Sequence, residues 1–290
     1  VLELDHFSYG LVTPVLAYIM SVIGSVLGLR CAFHARNSTR PGGWLVAAAI
    51  ALGGAGIWVM HFTAMLGFSV HGASIRYDVP LTLASAIVAI VVVWIGLSLV
   101  VRWRREIFAL PIGGAITGLG VAGMHYMGMF AMKSNAVMHY NTTTVALSVL
   151  IAVVAATAAF WFMLHVHGFA ATMGAALIMG VAVTGMHYTG MASLSASKPA
   201  GPDMADMPMS GGVDPVQLLT PLIMSVTLVT MMLIVLVGVA ELDERGGSRT
   251  EDAVSTAAPA NRRSQILTTD PTALPSSGRA WPRAVHTDDD

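Results

Sequence analysis

Charge is what this 290-residue chain has least of: Asp, Glu, Lys and Arg make up 11% of it, against 55% hydrophobic residues and a mean hydropathy of +0.71. A soluble domain carries about 25% charge, so most of the chain has lipid as its solvent. No basic cluster of the kind that tracks phosphates is present and the formal net charge is -1, which sets nucleic-acid binding aside. The single cysteine, Cys31, rules out an intramolecular disulfide and stands far along the chain from every histidine motif. Asp and Glu are missing from all of the long apolar runs. Their absence argues against a carboxylate-bound metal or a His-carboxylate proton relay, and it removes the third member of any Ser-His-Asp arrangement. A basic stretch is missing from residues 1–10 as well, so the first apolar run is expected to be a retained span and not a cleaved signal peptide.

What is present is a series of seven apolar runs, each near the roughly 20 residues that a spanning helix needs. They cover residues 11 to about 33, 44 to about 68, 80 to about 101, 108 to about 132, 142 to about 164, 169 to about 194 and 217 to about 240. Residues 195–215, with Pro199, Pro202, Pro208, Gly211 and Gly212, form a turn-rich loop that also holds Met204, Met207 and Met209. From Gly246 onward the Ser, Thr, Ala, Pro and Gly content does not bury enough apolar surface to fold. The expected organisation is a membrane domain over residues 1–243 and a disordered tail over 244–290. Arg30, Arg36, Arg40, Arg102, Arg104, Arg105, Arg245 and Arg249 fall on one side of the spans, against Arg76, Lys133 and Lys198 on the other. By the positive-inside rule the first side is cytoplasmic, the N-terminus outside and the C-terminus inside.

Three of the runs carry the same short pattern toward the same end. It reads Val59-Met60-His61-Phe62-Thr63-Ala64-Met65, then Gly123-Met124-His125-Tyr126-Met127-Gly128-Met129, then Gly185-Met186-His187-Tyr188-Thr189-Gly190-Met191, with histidines 64 and 62 residues apart. Such a period indicates a repeat, here of two helices, with one extra helix after the third. The predicted fold is therefore all-α: seven transmembrane helices, three like hairpins about a pseudo-threefold axis along the membrane normal. At about 1.5 Å of rise per residue the histidines lie roughly 5 to 10 Å outward of the midplane, within reach of outside water. Each histidine and the methionine four residues on share a helix face, and the preceding methionine sits about 100° to one side. Glycines such as Gly53, Gly54, Gly56, Gly113, Gly118 and Gly180 suit close helix approach.

An ionisable residue inside a membrane is a functional hypothesis by default, and three in register strengthen it. Imidazole with thioether favours copper, especially Cu(I), over the oxygen-seeking cations. The bland readings are a buried histidine that merely links two helices by a hydrogen bond, methionines that fill gaps, and Phe62, Tyr126 and Tyr188 as part of an aromatic belt. His71 and His139 read as solvated loop residues, and the methionines of the 195–215 loop as a flexible segment or a copper-catching run.

At these residues the chain resembles the MHYT domain of bacterial integral membrane sensors, whose Met-His-Tyr-Thr signature stands intact at Met186-His187-Tyr188-Thr189. The resemblance covers residues 8–240. It implies a sensor in the bacterial inner or plasma membrane that binds copper and responds to oxygen, carbon monoxide or nitric oxide. The implied ligands are Met60, His61, Met65, Met124, His125, Met129, Met186, His187 and Met191. Phe62 and Ala64 depart from the pattern in the first motif and Met127 in the second, so a role for the motif hydroxyls is not general. Many family members carry a cytoplasmic output domain for cyclic-dinucleotide turnover or DNA binding, whereas the tail here is below the usual domain size. The expectation is therefore of no enzyme, but of a sensor or accessory module with the bilayer, a diatomic gas and a separate cytoplasmic or membrane signalling protein as partners. A copper-handling or transport protein and a bis-histidine haem protein stand as alternatives.

Overall fold

The computed structural model describes residues 2–103, 105–198 and 211–266, with side chains of the last helix described as far as Leu242. Seven helices fill it: α1 (Val12–Asn37), α2 (Pro41–Met65), α3 (Val79–Arg102), α4 (Glu106–Ala131), α5 (Thr142–His165), α6 (Phe169–Met191) and α7 (Pro215–Ile266). All are long and apolar enough to cross a membrane, α7 through its portion Pro215–Leu242. Side chains such as Ile87, Leu150, Val154 and Val181 point outward, more than half exposed, which suits a hydrocarbon solvent and not water. This is the all-α, seven-helix membrane architecture that the apolar runs predict.

Helix starts follow the local chemistry. Asp78 caps α3 by accepting from the Leu81 N–H, Asn141 caps α5 by accepting from Thr143 and Thr144, and Asp214 caps α7 by accepting from Val216. At the arginine-rich face, Arg36 donates to the carbonyls of Met163 and Leu164, putting a cation on the otherwise orphaned C-terminal carbonyls of α5. Gly168, which leads into α6 from that face, has φ of 85°, a conformation that favours glycine.

The first six helices pack as a closed ring in chain order, with α6 returning to α1. Backbones approach closely at glycine. A Cβ on Gly24 of α1 would overlap the backbone of Gly56 in α2, one on Gly53 would meet the Ala89 carbonyl at 2.6 Å, and one on Gly118 of α4 would overlap the backbone of Val153 in α5. Dispersion and close packing hold such helices together in lipid, where burial of apolar surface gives little drive. Within α2, residues Ile50–Val59 form a π-helix that runs directly into the first motif, a geometry that is rare beyond a single turn and recurs at functional sites. Helix α7 lies outside the ring, its Val226 against Gly54 and its Leu219, Leu233 and Val237 buried, which makes α2 the most enclosed span.

Six short strands close the bundle at the end that carries the motifs. β1 (Leu4–Asp5) pairs with β2 (Ser69–Val70), β3 (Ile75–Tyr77) with β4 (Met132–Ser134), and β5 (Val137–Tyr140) with β6 (Leu194–Ser197), all antiparallel. In each repeat the strand before the first helix thus pairs with the strand after the second. Leu2 bridges to Ala196 and links the third ribbon to the first, while Tyr77 bridges to Val213 at the start of α7. The sequence reading treats these segments as plain loops; they form a β cap.

The chain divides into two compact units, residues 1–238 and 239–290. In the second, the backbone stays helical to Ile266 and so covers the first part of the stretch read as a tail. Residues 267–290, Arg104 and the loop with Met204, Met207 and Met209 lie outside the described residues.

Candidate metal centre

Alternate helices of the ring, α2, α4 and α6, each deliver one motif, and the repeat spacing brings the three histidines to one level. His61 Nδ1 lies 3.0 Å from His187 Nδ1 and 3.1 Å from His125 Nδ1. The rings stand at 78°, 78° and 89° to one another with centroids 4.9 to 5.2 Å apart, three blades about one axis. Among the described residues, His61, His125 and His187 form the group of imidazole, thiolate or carboxylate donors that converge closely enough to hold a metal ion. Each is 1% exposed. The expected reach to outside water is therefore closed in this conformation, because the β cap covers the site.

Small residues seat the rings. A Cβ on Gly128 of α4 would collide with Nε2 of His61, and one on Gly190 of α6 would collide with Nε2 of His125, so each glycine leaves the space that the preceding motif's imidazole fills. The equivalent position in α2 is Ala64. With Nε2 of His61 and of His125 against these glycines, their Nδ1 atoms turn to the axis, where they meet that of His187. Neither His61 Nε2 nor His125 Nε2 has a hydrogen-bond partner. Both nitrogens are therefore buried and unpaired, at a cost of about 1–3 kcal/mol each.

The motif aromatic that follows each histidine packs edge-on against it: Phe62 at 4.7 Å, Tyr126 at 4.9 Å and Tyr188 at 5.0 Å between centroids. Behind them stand three serines with the period of the histidines, Ser21, Ser85 and Ser148, all fully buried. Tyr126 shares a 2.6 Å hydrogen bond with Ser148. Where Phe62 has no hydroxyl, Trp58 donates its indole N–H to Ser85 at 3.0 Å instead. The Tyr188 hydroxyl of the third repeat and Ser21 Oγ of the first are both buried without partners. These serines escape a reading centred on histidine, although their spacing of 64 and 63 residues is visible in the sequence.

The six candidate-ligand methionines are buried, whereas Met127 of the second motif is half-buried. Met65, Met124, Met129 and Met191 join the apolar cluster below the β cap with Trp58, Phe62 and Tyr77; Met60 packs with Ala17 and Ala64; Met186 packs with Val121, Ala122 and Ala152. The thioethers are thus spread over three packing groups around the triad. The exposed His139 bonds Ser197 across a ribbon, and Cys31 is buried in α1 as a free thiol.

Three nitrogens bound at about 2.0 Å to one tetrahedral ion stand about 3.3 Å apart. The observed 3.0 and 3.1 Å fit a three-imidazole face with a slight opening. Ligation through Nδ1 requires the proton on Nε2. A bis-histidine haem needs its macrocycle between two facing imidazoles, whereas these three rings stand edge-on with centroids 4.9 to 5.2 Å apart.

The profile of the MHYT family, described as a bacterial signalling protein N-terminal repeat, matches residues 54–112 and 118–176. Each match begins seven residues before a motif histidine. The chain is 36% identical over 228 residues to the bifunctional diguanylate cyclase/cyclic di-GMP phosphodiesterase MucR of Pseudomonas aeruginosa, a match that covers 76% of this chain and 31% of that protein. It is 34% identical over 205 residues to the cyclic di-GMP phosphodiesterase NbdA of the same organism, covering 68% and 26%, and 27% identical over 171 residues to the signaling protein YkoW of Bacillus subtilis, covering 57% and 21%. The chain spans less than a third of the length of these curated relatives. No solved structure matches it. The names of the first two relatives overturn the expectation of no enzyme, which rested on a tail below the usual domain size; the shared region is the membrane repeat, and it establishes no enzymatic activity for this chain.

Proposed function

This chain belongs to the MHYT family of bacterial integral membrane sensors, and from that premise we propose that its triad of His61, His125 and His187 holds a copper ion through which the bundle senses a diatomic gas: oxygen, carbon monoxide or nitric oxide. The observation that carries the reading is that the buried His61 Nδ1 lies 3.0 Å from His187 Nδ1 and 3.1 Å from His125 Nδ1, with the donor atoms of all three rings within 4.8 Å of one another. The donor set supports copper: among the described residues no carboxylate joins the three imidazoles, and six buried thioethers lie on the same three motif segments. In this reading one of Met60, Met65, Met124, Met129, Met186 and Met191 can add a thioether to the three imidazoles.

Copper, when bound, supplies an open coordination position for the gas. The chain's own residues supply the rest. Gly128 and Gly190 fix the ring orientations, the cap excludes water, and each repeat contributes one histidine, so a change at the centre acts on α2, α4 and α6 together. A ligand shifts a bundle only by its differential affinity for two arrangements; the three motif helices are the elements that would differ. The arginine asymmetry supports a cytoplasmic location for the face opposite the cap, in an inner or plasma membrane. There Arg36, Arg40, Arg102 and Glu106 offer a docking surface for a signalling partner.

Metal analysis of detergent-purified protein tests the reading. Wild type should retain soft metal near one ion per chain, and the triple variant His61→Ala, His125→Ala, His187→Ala should retain none while still inserting as a helical protein. Equal metal content in both would overturn it.

A further inference from the structure

One helical turn below the triad, the face that carries the histidines continues as Ile57, Val121 and Val183, each four residues before its histidine. These three line an internal cavity of about 60 Å³ together with Val93, Phe160 and Met186. The cavity therefore sits on the axis of the bundle, about 6 Å from the metal-type centre on the side away from the cap. Met186 belongs to both, since it lines the cavity and precedes His187 in the chain.

Two features define what the cavity takes. Its polar side chains are Ser25 and Thr117 alone, and Thr117 already donates to the Val92 carbonyl at 3.3 Å. A water needs about 10–15 Å³ of such space and two to four polar partners; here space is ample and partners are few, so the cavity favours an apolar guest. Its wall is also uneven. Val93, Val121, Phe160 and Met186 are buried, whereas Ala155, Ala156 and Ala159 of α5 and Val183 of α6 are part-exposed on the lipid-facing side. Small side chains thus form the thinnest wall where the bilayer lies.

We infer that this cavity binds a small apolar molecule of the size of xenon or a diatomic gas, which enters sideways from the bilayer between α5 and α6 and is held one turn from the histidines. Apolar gases concentrate in hydrocarbon, so a lateral portal supplies the site from the phase where such a ligand is most abundant, without opening the β cap. Use of the cavity as a route to the centre rests on the metal-site reading; its capacity to hold an apolar guest does not.

Xenon is the probe, read by the concentration dependence of its NMR shift with the purified chain in lipid nanodiscs. Wild type should give a saturable shift, Ala156→Leu should lose it by filling the portal, and Val183→Ala should bind more tightly by widening the space. Wild type stripped of metal by a chelator should bind xenon like untreated wild type, which separates failure of the cavity from failure of the metal site. Circular dichroism checks that each variant is folded; should Ala156→Leu fail to fold, Ala159→Leu fills the same wall. A wild-type shift that does not saturate, or that equals the filled variant's, overturns the inference.

Discussion

Gly128 of α4 lies under the ring of His61 of α2, so close that a Cβ on the glycine would collide with Nε2. Gly190 repeats the relationship with His125. The motif glycine is thus a seat for the imidazole of the preceding repeat. Gly128→Ala or Gly190→Ala must push that ring off the axis or spread two helices, an overpacking that costs about 1–3 kcal/mol. We expect either change to weaken metal retention about 5- to 150-fold, measured by competition with a chelator. Gly185→Ala is the control, because a Cβ there meets nothing within 4 Å. It should leave metal retention unchanged and add about 0.5–1 kcal/mol of helix stability.

The three serines behind the motif aromatics predict unequal costs. Ser85→Ala strands the buried Trp58 indole N–H, whose partner is Ser85 at 3.0 Å, and should cost about 1–3 kcal/mol. Ser21→Ala removes a buried hydroxyl that has no partner and should be neutral or stabilising. Thermal unfolding in one detergent ranks the two. A larger loss for Ser21→Ala would show that its hydroxyl reaches Tyr188 after all.

The helices were legible because an apolar run of about 20 residues has few other fates, and the histidine level was legible because one period places all three. The β cap was not. Its strands are two to four residues long, and Ser69–Val70 finds its partner more than 60 residues away at Leu4–Asp5, a pairing that only the closed ring creates. The π-helix of Ile50–Val59 was equally hidden, since its glycines signal close packing in any helical form; the contacts of Gly24 with Gly56 and of Gly53 with Ala89 arise from tertiary structure. In the site, His61, His125 and His187 stood out by chemistry, whereas Gly128 and Gly190 passed as spacers because their role depends on which neighbouring ring they face.

Orientation has a direct test. Ser74 is exposed on the capped face and Thr39 on the arginine-rich face, while the native Cys31 is buried and silent. Ser74→Cys should label with an impermeant thiol reagent from outside intact cells, and Thr39→Cys should label only after the membrane is opened. The reverse pattern would put the histidine centre nearer the cytoplasm and reverse the proposed docking face.

Asp78 joins the cap to the bundle, and its ionisation sets how the cap responds to acid. Its Oδ2 pairs with Lys133 of β4 at 2.7 Å, its Oδ1 caps α3 through the Leu81 N–H, and its own N–H donates to the Ala131 carbonyl. The hydrogen bond from Lys133, then that from Leu81, lower the carboxyl pKa below its ordinary value. A lowered folded-state value means that the stabilisation is fully present above the unfolded pKa of about 3.9 and is lost as pH falls through the folded one. The β3–β4 ribbon should therefore keep its amide protection from pH 7 down to about 4 and lose part of it below. Salt should weaken the pair at all pH values, since it is partly exposed. The equivalent cap of α5 is Asn141, which accepts from Thr143 and Thr144 without any charge. Asp78→Asn should accordingly preserve the α3 cap, lose the salt dependence and flatten the acid response, whereas Asp78→Ala should lose the cap too. Hydrogen exchange of residues 75–77 and 132–134, corrected for intrinsic rates, distinguishes these outcomes; a ribbon as acid-sensitive in Asp78→Asn as in wild type would assign the response to another group.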